Sequence, residues 1–240
     1  MEKESILGIS VCSADKNAFI AELEQDIALG RRRFIVAINP EKILKARKDK
    51  ELADLLNSAD YQIPDGIGVV LASRMKRGNI RERITGIDSM DLLCASAETH
   101  AYGIFLYGAR PDVLVKAKAA LERKYEHIHI VGFHDGYSDN RALADKINAS
   151  GADIVFVAMG SPKQEYWIAE NRDRLCAKIY QGVGGSFDVI AGELRRAPRW
   201  IQKAGLEWLF RLLQQPSRVF RQLKLIGFIF LLIADKGRQA

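Results

Sequence analysis

Ile154-Val-Phe-Val-Ala-Met-Gly-Ser-Pro-Lys-Gln-Glu165 is the stretch that decides the fold. Its first five residues, Ile154 to Ala158, form an unbroken apolar run, as a parallel strand requires when helices cover both of its faces. Gly160 then lets backbone approach a ligand, and Pro162 suits the first turn of a helix, where a missing N–H costs nothing. Open α/β sheets take ligands in the crevice outside the carboxyl ends of their strands. The N–H groups left free at such a helix start predict an anion site there. Lys163, Gln164 and Glu165 are expected to face the same crevice. The plainer reading is an ordinary strand-to-helix turn with a solvated Lys and Glu.

The same rhythm recurs on both sides of this stretch. Phe34 to Ile38 reads as a strand ending at Asn39-Pro40, where the proline keeps Asn39 out of a helix. A polar helix to about Asn57 follows. Gly103 to Tyr107 is a strand ending at Gly108, then comes a helix to about Tyr125, then a strand from His127 to Val131 ending at Gly132. Ile179-Tyr-Gln-Gly-Val-Gly-Gly185 is one more strand tip. A helix over residues 15 to 29 is capped by Asp15, with Phe19, Ile20, Leu23 and Ile27 on one side. The alternation predicts an α/β fold: a Rossmann-like, mainly parallel sheet flanked by helices.

Composition adds a second part. Of 240 residues, 48% are hydrophobic and 28% charged, enough to bury a sizeable core. Residues 1–194 hold 26 Lys and Arg against 28 Asp and Glu, a net of −2, whereas residues 195–240 hold 10 against 2, a net of +8. The chain is therefore expected to divide into a core over 1–194 and a basic, helical C-terminal appendage over 195–240. Trp200 to Leu213 reads as a helix with Trp208, Leu209 and Leu212 in its apolar face, broken by Pro216. At about 100° per residue, Arg211, Arg218 and Arg221 share one side of that segment. Basic residues alternate with Trp200, Trp208, Phe210, Phe220, Phe228 and Phe230, a pattern suited to an anionic membrane surface. The uncharged run Leu225 to Ala234 favours membrane over nucleic acid. At ten residues it is shorter than the roughly 20 a spanning helix needs. The acidic N-terminus argues against a signal peptide. Cys12, Cys94 and Cys176 are too scattered for a disulfide framework or a zinc site, so a reducing cytoplasm fits best.

Candidate chemistry sits at the strand tips. In Pro64-Asp-Gly-Ile-Gly68 two glycines follow a carboxylate, and Asp65 is either a helix cap or a general base beside a substrate hydroxyl. Arg81-Glu-Arg83 precedes the helix at Asp88 to Thr99. Gly108 and the loop His134-Asp-Gly-Tyr137 add Gly108 and Tyr137 as candidate substrate contacts. His134 and Asp135 lack companions at ligand spacing, so no metal site is expected. Gly182-Val-Gly184 lacks the third glycine of a dinucleotide fingerprint, and no phosphate-binding Gly-x-x-x-x-Gly-Lys loop occurs. There is no Asp-x-Asp to hold a divalent ion across a diphosphate. Nor is there a Gly-x-Ser-x-Gly elbow.

Taken in order, Asn39-Pro40, Pro64-Asp-Gly-x-Gly68, Arg83-x-Thr-Gly86, Gly160-x-Pro-Lys-Gln-Glu165, Gly182-Val-Gly-Gly-x-Phe-Asp188, Arg196-Ala-Pro198, Glu207-Trp208 and Pro216-x-Arg218 resemble the WecG/TagA/CpsF glycosyltransferases. The resemblance spans nearly the whole chain. It implies an inverting, metal-independent transfer of an N-acetylmannosamine-type sugar from UDP to N-acetylglucosaminyl-diphospho-undecaprenol, with no cofactor, at the cytoplasmic face of a bacterial membrane. In one branch of the family this builds the linkage unit of teichoic acid. By the same resemblance Asp65 is the general base, and Asn39 and Arg83 line the sugar pocket. Gly160, Lys163, Gln164, Glu165, Gly184 and Asp188 hold the donor, and Arg211, Arg218 and Arg221 meet the diphosphate. Relatives commonly carry Thr where this chain has Ala37; water, Ser10, Ser13 or Thr85 is expected to stand in for that hydroxyl, and a uronic acid donor is an alternative. A non-catalytic module binding nucleotide or lipid diphosphate is the competing class. Self-association is left open, since no heptad or repeat marks it.

Overall fold

The computed structural model describes residues 1–214 and 227–235. The chain starts with two short strands, β1 (Lys3–Ile6) and β2 (Ile9–Cys12), paired antiparallel. Helix α1 (Lys16–Ala28) follows, with the Asp15 carboxylate accepting from the Ala18 N–H as its cap. Then come β3 (Arg33–Ile38), α2 (Pro40–Ala46), α3 (Lys50–Ser58), β4 (Tyr61–Pro64), α4 (Ile67–Met75) and α5 (Gly86–His100). The second half runs β5 (Gly103–Gly108), α6 (Pro111–Lys124), β6 (His129–His134), α7 (Leu143–Ala149), β7 (Ile154–Ala158), α8 (Lys163–Asn171), β8 (Ile179–Gly182) and α9 (Ser186–Ile190). After these, α10 (Arg199–Lys203) and α11 (Glu207–Gln214) precede a last helical stretch over 227–235.

Six strands form one parallel sheet in the order β4-β3-β8-β7-β5-β6. Because successive side chains of a strand point to opposite faces, the sheet sorts its residues into two cores. Phe34, Val36, Ile38, Phe105, Tyr107, Val155, Val157 and Tyr180 pack with residues of α2, α3, α4, α7 and α8. Ile35, Ala37, Ile104, Leu106, Ile154, Phe156 and Ile179 pack with α1, α5, α6 and α9. Each fully buried aliphatic or aromatic side chain contributes about 1.5–3 kcal/mol, which is why the central strands read as continuous apolar runs. The α/β architecture with a parallel sheet flanked by helices, followed by C-terminal helices, is the one the sequence predicts.

Three boundaries differ from expectation, each for a physical reason. The polar helix expected up to Asn57 is two helices: Arg47 ends the first, and the Asp49 carboxylate caps the second by accepting from the Leu52 N–H. The strand expected to stop before Gly132 runs on to His134. Gly132 serves packing there, since a Cβ on it would lie 2.5 Å from the Phe105 ring of the neighbouring strand. The helix expected over Trp200 to Leu213 is interrupted at Gly205, whose φ of +73° ends α10.

The apolar C-terminal run is split between interior and exterior. Phe228 and Leu232, four residues apart, join the core on the α2–α4 side, while Ile229, Phe230 and Ile233 are 54%, 66% and 55% exposed. The Lys76–Asp235 ion pair, at 2.8 Å, ties the stretch to the end of α4. Among the described residues no helix is long and apolar enough to cross a membrane.

Candidate active site

The chain builds β3 and β4 on one side of the sheet and β5 to β8 on the other, and the two blocks meet where β3 pairs with β8. Ligands of open α/β sheets settle at such a junction, outside the carboxyl strand ends. A cleft of about 280 Å³ lies there. The starts of α2, α5 and α8 contribute Asn39, Thr85 with Gly86, and Gly160 with Ser161 to its wall. Helix N-termini carry partial positive charge, so the fold itself biases this cleft toward anions.

Asp65 stands at the tip of β4. Its N–H donates to the Ile38 carbonyl at 2.8 Å, continuing the β3–β4 pairing by one residue. Gly68, three residues on, is required by packing: a Cβ there would sit 2.7 Å from Pro40 Cγ, with Phe228 close behind. The glycines of this motif therefore let the α4 start press against the α2 start and present the carboxyl between them. Burial pushes the Asp65 carboxyl above its ordinary range; Arg211, Lys42 and Arg83 pull it down, and Glu207 adds to the rise. A carboxylate made more basic in this way is better suited to accept a proton near neutral pH.

Gln164 locks two strand tips together. Its Oε1 accepts from the Gly184 N–H at 2.9 Å, and its Nε2 donates to Glu165 Oε1 at 3.0 Å. The side chain lies directly over Gly182, where a Cβ would stand 2.5 Å from Nε2. Glu165 is fully buried and pairs with the Lys42 ammonium at 2.7 Å, leaving its other oxygen without a hydrogen-bond partner. A buried carboxylate is kept in such a place only by a partner of this kind. The α2, α8 and β8 ends are thus held by one polar chain, Lys42–Glu165–Gln164–Gly184.

The C-terminal segment closes one wall. Leu194, Arg195, Arg211 and Gln214 line the cleft, and Gln214 holds the Arg195 backbone through both its amide N and O. Glu207 is buried between the Arg211 guanidinium, at 3.2 Å, and that of Arg83, at 3.1 Å. Further out, Arg196 pairs with Asp88 on the first turn of α5. Burial opposes the charged Asp88 carboxyl, but Arg196 outweighs it and holds the group below its ordinary range.

Of the residues singled out from sequence, Asn39, Asp65, Gly160, Gln164, Gly184 and Arg211 line this cleft together. Ala37 and Thr85 line it as well, whereas Ser10 and Ser13 lie at the N-terminal hairpin and outside its lining. Glu165 sits behind the wall with Lys42, and Arg83 behind it with Glu207. Asp188 stands next to lining Val189; its carbonyl accepts from Glu193 and Leu194, which sets the turn that delivers Arg195. Lys163 is exposed and outside the lining. Gly108 is paired with Ala158 between β5 and β7, and Tyr137 is 77% exposed on the loop after β6. Neither reaches the cleft wall. Arg218 and Arg221 lie outside the described residues.

The anion site expected at the start of α8 has fewer donors than its sequence suggests. The Gln164 and Glu165 N–H groups already donate to the Gly160 and Pro162 carbonyls, because the helix begins at Lys163 and Pro162 serves as its cap residue. Lys42, Lys45, Ser161 and Arg195 were not singled out. Lys42 and Lys45 were findable, three and six residues after the strand-tip Asn39 on a helix that starts at the crevice. Among the described residues no group of three His, Cys, Asp or Glu side chains could hold a metal ion.

The model of the Glycosyl transferase WecG/TagA/CpsF family matches residues 4–240 of the chain. The chain belongs to that family.

Proposed function

We propose, with that membership as premise, that the protein transfers N-acetylmannosamine from UDP to N-acetylglucosaminyl-diphospho-undecaprenol with inversion at the anomeric carbon. The observation that carries this reading is the half-buried Asp65 carboxyl, raised in basicity by burial, sharing one cleft with Arg211. In the step, the acceptor hydroxyl oxygen bonds to the anomeric carbon as its proton passes to Asp65. The bond from that carbon to the diphosphate oxygen breaks, and its electron pair leaves with UDP. Negative charge grows on the departing diphosphate, and the Arg211 guanidinium in the cleft wall is assigned its stabilisation through charge-assisted hydrogen bonds. Arg218 and Arg221 follow in the same basic segment and are assigned the same role.

The acceptor is a lipid, and the exposed Ile229, Phe230 and Ile233 fit a docking role at the cytoplasmic face of an anionic membrane. Residues 195–240 then serve both to dock and to complete the site. Surface polymer synthesis, of the teichoic acid linkage type, is the process this activity serves. A uronic acid donor is the second reading, favoured by Ala37 in the cleft wall and by the nearby cations Lys45 and Arg195, which suit a further carboxylate. Incubation with UDP-N-acetylmannosamine or its uronic acid, plus a soluble lipid-diphosphate acceptor, decides among these. UDP release with a disaccharide-lipid product of the expected mass supports transfer; binding of UDP with no release from either donor rejects it in favour of a binding module.

A further inference from the structure

The appended helix α11 puts Arg211 and Gln214 into the cleft wall and buries one acid behind it. Glu207 is the one buried residue of α11, at 5% exposure, on a helix whose Trp208, Leu209 and Leu213 are 39%, 38% and 73% exposed. A carboxylate is withdrawn from water in this way only when cations meet it. Two do. Its Oε1 accepts from Arg211 one turn later at 3.2 Å, and its Oε2 stands 3.1 Å from the Arg83 guanidinium, which belongs to the body of the protein just before α5. Arg211 in turn lines the cleft with Asp65, while Arg83 does not.

We infer that Glu207 is a positioning residue for glycosyl transfer: it anchors α11 to Arg83 and holds the Arg211 guanidinium aimed into the cleft. The helix geometry demands this acid at this place. Residues four apart share one face, so an acid at 207 lies directly behind a cation at 211, and an acid in a first turn also meets the positive end of the helix. Arg83 acts through Glu207 instead of touching the sugar. The contact is an ion pair, with Glu207 Oε2 making no hydrogen bond, so Arg83 acts there by its charge. Aspartate at 207 would be one methylene short of both partners.

The inference rests on Arg211 serving the departing diphosphate, as proposed above, and does not depend on which sugar is moved. The test uses full-length chains carrying Glu207→Gln, Glu207→Asp, Arg83→Ala and the double change Arg83→Ala/Glu207→Ala. With UDP-N-acetylmannosamine and a soluble N-acetylglucosaminyl-diphosphate lipid, kcat should fall by up to about 100-fold in each, the loss that misplacing a group by about 1 Å produces. The donor KM should change by less than about threefold, because the interaction is made in the transition state. The double variant should be no slower than the worse single one. Losses that multiply in the double variant, or a donor KM that rises with Arg83→Ala alone, would overturn the inference and return Arg83 to the sugar pocket. A second readout needs no substrate: amide hydrogen exchange over residues 207–214 should quicken in Glu207→Gln and Arg83→Ala while β3 and β7 keep their protection. Unchanged exchange there refutes the anchor even if the wild-type chain proves inactive with this donor, which would instead refute the assigned reaction.

Discussion

Replacing Asp65 by asparagine should slow the enzyme and stabilise it, and the two effects have one cause. The carboxyl is held above its ordinary range because burial outweighs the pull of Arg211, Lys42 and Arg83. A folded-state acid whose proton is held more tightly than in the unfolded chain makes stability fall as pH rises between the two values. The penalty is therefore absent in acid, below the ordinary carboxylate range, and grows as pH rises toward the folded-state value. Asparagine has nearly the same shape and never bears the charge. Each tenfold change in the acid's dissociation constant is about 1.36 kcal/mol, or about 3–5 °C of Tm for a chain of this size. Catalysis moves the other way. Loss of a general base costs about 10²–10⁴ in rate, equivalent to about 2.7–5.4 kcal/mol of barrier. UDP affinity should hardly change, since the proton Asp65 takes comes from the acceptor.

The assay is a pair of measurements on one preparation: thermal unfolding from pH 4 to pH 8, and steady-state UDP release with calorimetric UDP binding. The expected record is a Tm above wild type at pH 7 that converges with it on acidification, alongside a kcat at least 100-fold lower. Asparagine that retains kcat within about threefold removes Asp65 from the chemistry. A Tm gain that grows on acidification would contradict the burial argument.

Four further outcomes follow from the same geometry. Arg211→Ala should lower kcat by about 10²–10³ and, by removing the strongest cationic pull on Asp65, shift the acidic limb of the kcat/KM profile to higher pH; an unshifted limb would separate the two groups. Glu165→Ala leaves the Lys42 ammonium buried without its partner and should cost about 3–5 kcal/mol in denaturant unfolding. Gly182→Ala puts a methyl 2.5 Å from the Gln164 amide, and since Gln164 is itself buried the strain of about 1–3 kcal/mol should appear with weakened UDP binding by calorimetry. Phe230→Glu with Ile233→Glu alters only exposed side chains, so Tm should stay put while flotation with anionic liposomes is lost; retained flotation would dismiss this face as the docking surface.

The parallel sheet was legible because its strands are buried on both faces and announce themselves as apolar runs, Ile154 to Ala158 above all. The edges were not. Each strand of the β1–β2 hairpin, like β4, is four residues long, too short to show a period, and the extension of β6 past Gly132 depends on how a ring on the next strand packs. In the cleft, residues at strand tips stood out: Asn39, Asp65, Gly160, Gln164 and Gly184 each interrupt an apolar pattern with something polar or pliable. Pairings across the chain left no such mark. Lys42 meets Glu165 over a separation of 123 residues, and Arg83 meets Glu207 across the expected division at residue 195. A lone Lys or Arg in sequence carries no sign of which acid it answers.

Those pairings bear on how the base becomes active. Among the described residues Lys42, Lys45, Arg195 and Arg211 line the cleft against Glu41 and Asp65, and Glu165 and Glu207 stand immediately behind. With Arg83 behind the wall on Glu207, five cations face four acids, so much of the positive charge is already answered by the protein's own acids. A nucleotide diphosphate brings about one negative charge per phosphate, which would raise the proton affinity of the Asp65 carboxyl further. Any cation that approaches the diphosphate reverses this, because it also stands near Asp65. Under the proposed reaction the same positive charge would stabilise the leaving group and favour the base form of Asp65. Residues 195–240 carry a net +8 against −2 for residues 1–194, so most of that positive charge belongs to this segment. Raising salt, which screens it, should consequently move the acidic limb upward.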